Sequence, residues 1–289
     1  MPKDILQLIQ SNMSSFSKGQ KRIAAFIQES YDKAAFMTAS KLGKTVNVSE
    51  STVVRFAAEL GYDGYPAMQK ALQEMIRNKL TSIQRIEVSN DRIGDHDVLS
   101  MVMQSDIDKI RMTMEEIDRD EFSGAVDAIV NAKRIYILGV RSSAALGGFL
   151  GFYFNLIFDN VVQIQSNATS EMFEQLLRVG EGDVVIGISF PRYSRRTVQA
   201  LRFARDRKAK VVAITDSSAS PLATCSDHTL LAKSDMASFV DSLVAPLSLV
   251  NALIVAVSRK KKEDLSRTFE NLEEIWEEYE VYEKVENET

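Results

Sequence analysis

Chemistry in this chain has to be done with hydroxyls, guanidinium groups and backbone amides. The 289 residues include one cysteine, Cys225, and two histidines, His96 and His228. Three soft ligands fall short of the four Cys or His that a structural zinc site usually takes. A single thiol forms no internal disulfide and suits a reducing compartment. A Ser-His-Asp triad would rest on one of only two histidines. The expectation is therefore no catalytic residue, no metal and no cofactor. The remaining polar chemistry collects at three turns. Gly139-Val140-Arg141-Ser142-Ser143 follows one apolar run, and Ser189-Phe190-Pro191-Arg192-Tyr193-Ser194-Arg195-Arg196-Thr197 follows a second. Thr215-Asp216-Ser217-Ser218, then Ser220-Pro221-Leu222-Ala223, follows a third. A strand that ends in such a turn and opens onto a helix offers amides and hydroxyls to an anion. Arginine adds bidentate recognition of phosphate or carboxylate. The candidate anion ligands are Arg141, Ser142, Ser143, Ser189, Arg192, Ser194, Arg195, Thr215 and Ser217, with Arg196 near. The alternative is a set of loops filled by their own side chains.

A second constellation lies near the N-terminus. If Ala39 begins a two-helix motif, Leu42, Val46, Val48, Val53 and Phe56 fall where the helices face each other and the core. Gly43 falls where they cross closely. Asn47 falls at the sharp turn, which needs the positive φ that Gly supplies and Asn tolerates. The second helix of such a motif enters the major groove by its N-terminal turn. Ser49, Glu50, Ser51, Thr52 and Arg55 would then face DNA, with Lys41, Lys44 and Thr45 on its backbone. Arg55 suits a phosphate or a guanine; Glu50 suits a cytosine amino group or simply its own helix terminus.

The elements that must hold these groups divide the chain. Residues 1–78 read as all-helical, with helices near Lys18–Tyr31 (capped by Ser17), Thr38–Thr45, Ser49–Leu60 (stopped by Gly61) and Pro66–Lys79. Residues 79–97 are polar and aperiodic and read as a linker. Residues 98–289 open with helices about Val98–Ile117 and Glu121–Asn131. Strands then follow at Arg134–Val140, Val161–Ile164, Asp183–Phe190, Lys210–Thr215 and His228–Ala232. Between and after them come helices at Ala144–Phe158, Ser170–Arg178, Ser194–Arg207 and Phe239–Val257. Near-continuous apolar strands alternating with helices predict a doubly wound, mainly parallel five-stranded sheet covered on both faces. An extra C-terminal helix, 262–286, carries Leu265, Phe269, Leu272, Ile275, Trp276, Tyr279 and Tyr282 at three/four spacing, with acids opposite. That stripe covers either its own domain or a partner subunit.

Charge follows the same division. The chain carries net −5, yet residues 1–80 hold eleven basic against seven acidic groups, +4, and the remainder holds −9. A basic head on an acidic body places any nucleic-acid contact at the N-terminus. Met1–Gln10 lacks the apolar stretch of a signal peptide. The apolar run Leu243–Val257 is short of the roughly 20 residues of a membrane span. A cytoplasmic protein with no membrane contact is expected.

The run Val48-Ser49-Glu50-Ser51-Thr52-Val53-Val54-Arg55-Phe56, with Leu60-Gly61-Tyr62 and Gly64-Tyr65, resembles the N-terminal domain of the RpiR/MurR family of bacterial transcription regulators. Those proteins join it to a SIS (sugar isomerase) domain that binds phosphosugars. The resemblance implies an all-α helix-turn-helix domain followed by an α/β SIS domain, operator DNA and a sugar-phosphate-like effector as partners, and a homodimer or homotetramer. Phosphosugar-binding SIS loops read Gly-x-Gly-x-Ser and Ser-x-Ser-Gly-x-Thr. Here Gly139, Ser143 and Ser189 match, Ser194 replaces the threonine, and Arg141, Pro191 and Arg192 depart. Loss of both glycines predicts altered turns, since Arg disfavours the φ values Gly allows. It also predicts an anion more charged than a hexose monophosphate, or bound differently. Two alternatives accompany this reading: a degenerate SIS domain that serves only dimerisation, and a sugar-phosphate isomerase. The isomerase would need a base such as Glu171, Glu174 or His228.

Overall fold

The computed structural model describes residues 5–77, 81, 83–86, 97–165, 168–234 and 240–283, the side chains of Glu74, Ile76 and Arg77 excepted. Most of the expected linker, 79–97, and residues 284–286 of the expected tail helix lie outside the described residues. The chain forms two compact units: Met1–Met103 with Met236–Asp241, and Gln104–Asp235 with Ser242–Thr289.

The first unit is helical: α1 Ile5–Ser11, α2 Lys18–Glu29, α3 Tyr31–Ala34, α4 Ala39–Thr45, α5 Glu50–Glu59 and α6 Gly64–Arg77. Short polar side chains start these helices. Ser17 and Gln20 satisfy each other's backbone amides in a capping box at α2. Thr38 caps α4 through the Lys41 amide (3.2 Å). The chain leaves α5 through Gly61 at φ 86°. Helix α6 begins at Gly64, ahead of the expected Pro66, because a proline in the first turn removes no helical hydrogen bond. The apolar faces meet in one core holding Ile23, Ile27, Leu42, Val53, Phe56 and Met68. The Phe16 and Phe56 rings stand 5.0 Å apart there. Tyr65 donates its hydroxyl to the Met37 carbonyl at 2.7 Å, and burial pushes its pKa up to about 12.

Helix α7 (Val98–Glu116) begins in the first unit and continues into the second, where α8 (Arg119–Val130) precedes β1 (Ile135–Gly139), α9 (Ser143–Ile157), β2 (Val161–Ile164), α10 (Thr169–Gln175) and β3 (Val184–Ile188). Then come α11 (Arg195–Asp206), β4 (Lys210–Thr215), β5 (His228–Leu231), α12 (Val244–Lys260) and α13 (Lys262–Glu278). The strands lie in the order β2-β1-β3-β4-β5. All four pairings are parallel, so the expected mainly parallel sheet is parallel throughout among the described strands. Successive residues of each strand point to opposite faces. Ile135, Ile137, Ile186 and Ile214 pack with Leu150 of α9 and Leu253 of α12. Tyr136, Leu138, Val185 and Val211 pack with Leu176 and Leu201 on the other face. Burial on both sides is why these strands read as continuous apolar runs.

The apolar run 243–257 is a core helix, with Leu249, Val250, Leu253 and Val257 buried in α12. Its start at Val244 is later than expected, and Phe239 lies outside the described residues. Among the described residues no helix is long and apolar enough to cross a membrane. Helix α13 has no buried residue. Only Leu265 of its stripe packs on the core of its own unit.

Candidate functional site

The helix-turn-helix face is set by two close contacts. A β-carbon added at Gly43 would lie 2.9 Å from the Val48 carbonyl oxygen. No larger residue permits α4 and α5 to meet at that angle. Asn47 turns the chain at φ 56°, the left-handed region it tolerates. Ser49 then caps α5, its Oγ accepting from the Thr52 amide at 3.3 Å. Burial of Val53, Phe56 and Ala57 forces the opposite face outward. Lys41, Lys44, Thr45, Ser49, Glu50, Ser51 and Arg55 are all exposed and Thr52 is half-buried. The eight expected residues thus sit on α4, α5 and the turn between them. Arg55 is held along its helix by an Nε bond to the Ser51 carbonyl, 3.3 Å. Two residues join the face that sequence reasoning did not single out. Arg22 reaches the turn, donating to the Asn47 carbonyl at 3.2 Å. Val54 is 41% exposed beside Arg55. A valine in an otherwise core-patterned run carries no signal of exposure until the helix phase is known.

The second site lies where β1 and β3 adjoin. The chain passes from β1 to β2 on one side and returns to β3 on the other, the reversal at whose carboxyl ends ligands bind in open parallel sheets. A cleft of about 560 Å³ opens beside it, over the ends of β1 and β2. Gly139, Arg141 and Ala144 line it from the β1 turn and α9. Gln163 does so from within β2, Gln165 just after it, Glu171 from α10 and Arg196 from α11. A β-carbon at Gly139 would stand 2.3 Å from the Ser143 carbonyl oxygen, so glycine is needed for α9 to start this close. Arg141 adopts φ 57°. The arginine takes the left-handed backbone at a cost of roughly 1–2 kcal/mol and lines the cleft.

The other expected ligands divide. Ser142 is exposed at the N-cap of α9 and makes no capping bond with its side chain. Ser143 is buried in the first turn of α9. Ser189 Oγ accepts from the Ser194 amide (3.0 Å), and Ser194 Oγ accepts from the Thr197 amide (3.3 Å). Thr215 is buried, its hydroxyl 3.4 Å from the Asp216 carboxylate. Ser217 Oγ accepts from the Ala219 amide (3.1 Å). These four hydroxyls brace the loops they stand in. Arg192 and Arg195 are exposed and do not line the cleft, whereas Arg196 does. Glu171 borders the cleft and Glu174, one turn on, does not. Gln163 and Gln165 went unnoticed in the sequence because a lone glutamine in or just after a strand has no distinguishing pattern. His228 opens β5, with Nδ1 3.5 Å from Glu121 Oε2, away from the carboxyl ends of the strands. Cys225 is buried, and that burial pushes its thiol pKa up.

The chain thus carries a helix-turn-helix unit with an exposed α4–α5 face and a doubly wound unit with a cleft at its strand ends. Comparison with known proteins specifies it further. Residues 3–79 match the helix-turn-helix domain of the rpiR family, and residues 128–256 match the SIS domain. The transcriptional regulator HexR of Escherichia coli K12 is 25% identical over 286 residues, covering 94% of this chain and 95% of that protein. The sugar isomerase domain of an RpiR transcription factor from Sphaerobacter thermophilus superposes with TM-score 0.58 at 28% identity, over 61% of this chain and 97% of that one. The Vibrio vulnificus NanR protein complexed with ManNAc-6P gives TM-score 0.58 at 25% identity, over 94% and 97%. The chain belongs to the RpiR family of helix-turn-helix transcriptional regulators with a SIS domain.

Proposed function

We propose that this regulator senses a phosphorylated sugar, or a related sugar-derived anion, in the cleft over the ends of β1 and β2 and transmits its occupancy to operator binding. The observation that carries the reading is the pairing of Arg141 and Arg196 on the cleft, beside the α9 N-terminus and the unbonded Ser142 side chain. Guanidinium groups and helix-terminal amides both favour an anion. Gln163, Gln165 and Glu171 supply acceptors and donors for sugar hydroxyls. The likeness to NanR, a protein solved with a sugar phosphate, supports the same ligand class.

On the DNA side, Ser49, Glu50, Ser51, Thr52 and Arg55 read bases or phosphates from α5, and Lys41, Lys44 and Thr45 grip the backbone. Two chains pair to place two such helices one helical turn, about 34 Å, or a multiple apart on a palindromic operator. The effector acts only through its differential affinity for the two states, typically 1–3 kcal/mol. The target genes serve carbohydrate metabolism, the protein acts in the cytoplasm, and it is not an enzyme.

Calorimetric titration with phosphorylated sugars and sugar acids, paired with gel shifts on the protein's own upstream region, tests this. Saturable binding that changes operator affinity is expected. No binding of any anion by the folded protein would overturn the effector role. The internal bonding of Ser189, Ser194, Thr215 and Ser217 favours a second reading, a SIS domain that serves pairing alone, and that null titration is its signature. Glu171 on the cleft keeps the isomerase reading testable: turnover of a ketose or aldose phosphate in a coupled assay would establish it.

A further inference from the structure

The apolar face of α13 and an apolar groove on the same unit are complementary in polarity and charge. The groove runs between α7, α8 and α12, about 540 Å³, with Ile110, Met114, Leu249, Ala252 and Val255 among its walls. Met114 and Val255 are 61% and 57% exposed, so this is uncovered apolar surface rather than core. Its charged lining residues are Arg119 and Arg259, with no acid. Neither makes an ion pair among the described residues. Helix α13 offers the converse. Phe269 and Trp276 on the helix, and Tyr282 beyond its end at Glu278 (short of the expected 286), stack edge to face, with ring centroids 6.2 and 5.3 Å apart. Ile275 and Tyr279 stand 48% and 71% exposed. Glu270 and Glu273 border Phe269, and beyond Arg267 the described residues of this segment carry acids and no base. Helix α13 follows α12 after Lys261 alone, and its stripe leaves its own domain after Leu265. The groove beside it therefore stays open in the single chain.

We propose that α13 docks in the α7–α8–α12 groove of a second copy of this chain, reciprocally about a two-fold axis. An amphipathic helix laying its apolar stripe in a groove is a standard recognition mode, and a surface that carries both helix and groove is self-complementary as a two-fold contact requires. Acids flanking the stripe meet Arg119 and Arg259 at the groove's edge. Four aromatic side chains, Phe269 and Trp276 partly covered and Tyr279 and Tyr282 largely exposed, with the groove walls they meet and the two-fold doubling, bury on the order of 1,600 Å², the size of a stable specific interface. This builds on the proposed pairing of two chains and assigns its surface.

Sedimentation equilibrium on the full chain and three variants tests it. The full chain is dimeric or a multiple of it. Shortening the chain after Thr268, which retains Leu265, or changing Leu272→Glu with Trp276→Glu, weakens association roughly 30-fold or more, the scale of interface hot spots. Met114→Glu with Ala252→Glu, at exposed groove positions, does the same, with unchanged circular dichroism in each case. Mixing the helix variant with the groove variant recovers a one-to-one heterodimer, since one intact helix then meets one intact groove. Unchanged self-association of the shortened chain and of the groove variant would sink the docking while leaving pairing intact. A monomeric full chain would overturn both pairing and docking. A shortened chain that dissociates while the groove variant stays dimeric also rejects this groove as the seat.

Discussion

The two units solve opposite problems with similar residues. On α4 and α5, serines, threonines, lysines and an arginine are pushed out by a buried opposite face, and their backbone is pinned by Gly43 and Asn47. In the cleft domain the same residue types stand at strand ends, yet Ser189, Ser194, Thr215 and Ser217 spend their hydroxyls on neighbouring amides or Asp216. One region presents a convex row from two adjacent helices; the other assembles a concavity from β1, β2, α10 and α11. A helix face offers nearly every polar residue it carries. A loop cluster first satisfies its own backbone and offers what remains, here Arg141 and Ser142.

The sharpest break of this contrast is Phe56→Ala. Phe56 is fully buried against Phe16, and the truncation costs about 3–5 kcal/mol. Calorimetry is expected to show the first unit melting lower, operator binding failing and anion titration unchanged. Loss of anion binding as well would show that the two sites are not separable. Arg141→Gly is expected to pull stability and function apart. It relieves the left-handed arginine, raising the melting temperature of the second unit, while removing a charged bond worth about 1.5–3 kcal/mol of anion affinity. Titration and melting together check this, and an unchanged affinity would remove Arg141 from the site.

On the reading face, Arg55→Ala costs roughly 1–3 kcal/mol of discrimination if it contacts a base, and a uniform loss with a smaller salt slope if it contacts phosphate. Gel shifts on operator and scrambled DNA across a salt series separate the two. The smallest expected effect is Tyr65→Phe, about 1 kcal/mol, from the lost bond to the Met37 carbonyl. The raised Tyr65 pKa adds a pH signature. The stabilisation is complete below pH 10 and is lost as pH rises toward about 12, because the folded state resists ionising the buried phenol. Alkaline melts of the first unit should lose this dependence in the Phe variant.

Much of the fold was legible because its signals are local. Ser17 caps the helix it was expected to cap, and strands Val161–Ile164 and Lys210–Thr215 match residue for residue. The exposed face of α5 was legible for the same reason: three/four periodicity fixes which side of α5 is buried. The cleft was legible only in outline. Its strand-end turns were placed correctly, yet Gln163, Gln165 and Glu171 line it unannounced, and Arg192 and Arg195 turn elsewhere.

By itself the sequence determined the elements, their polarity and the helix-turn-helix geometry, since caps, periodicity and a glycine at a close crossing act within a few residues. Tertiary structure alone decided which arginines share a cleft, because that depends on the order β2-β1-β3-β4-β5. This order sets residues 141, 163, 171 and 196 side by side, across separations over which no local rule operates. It also left the α13 stripe uncovered, since a helix's own pattern states that a face must be buried but not what buries it.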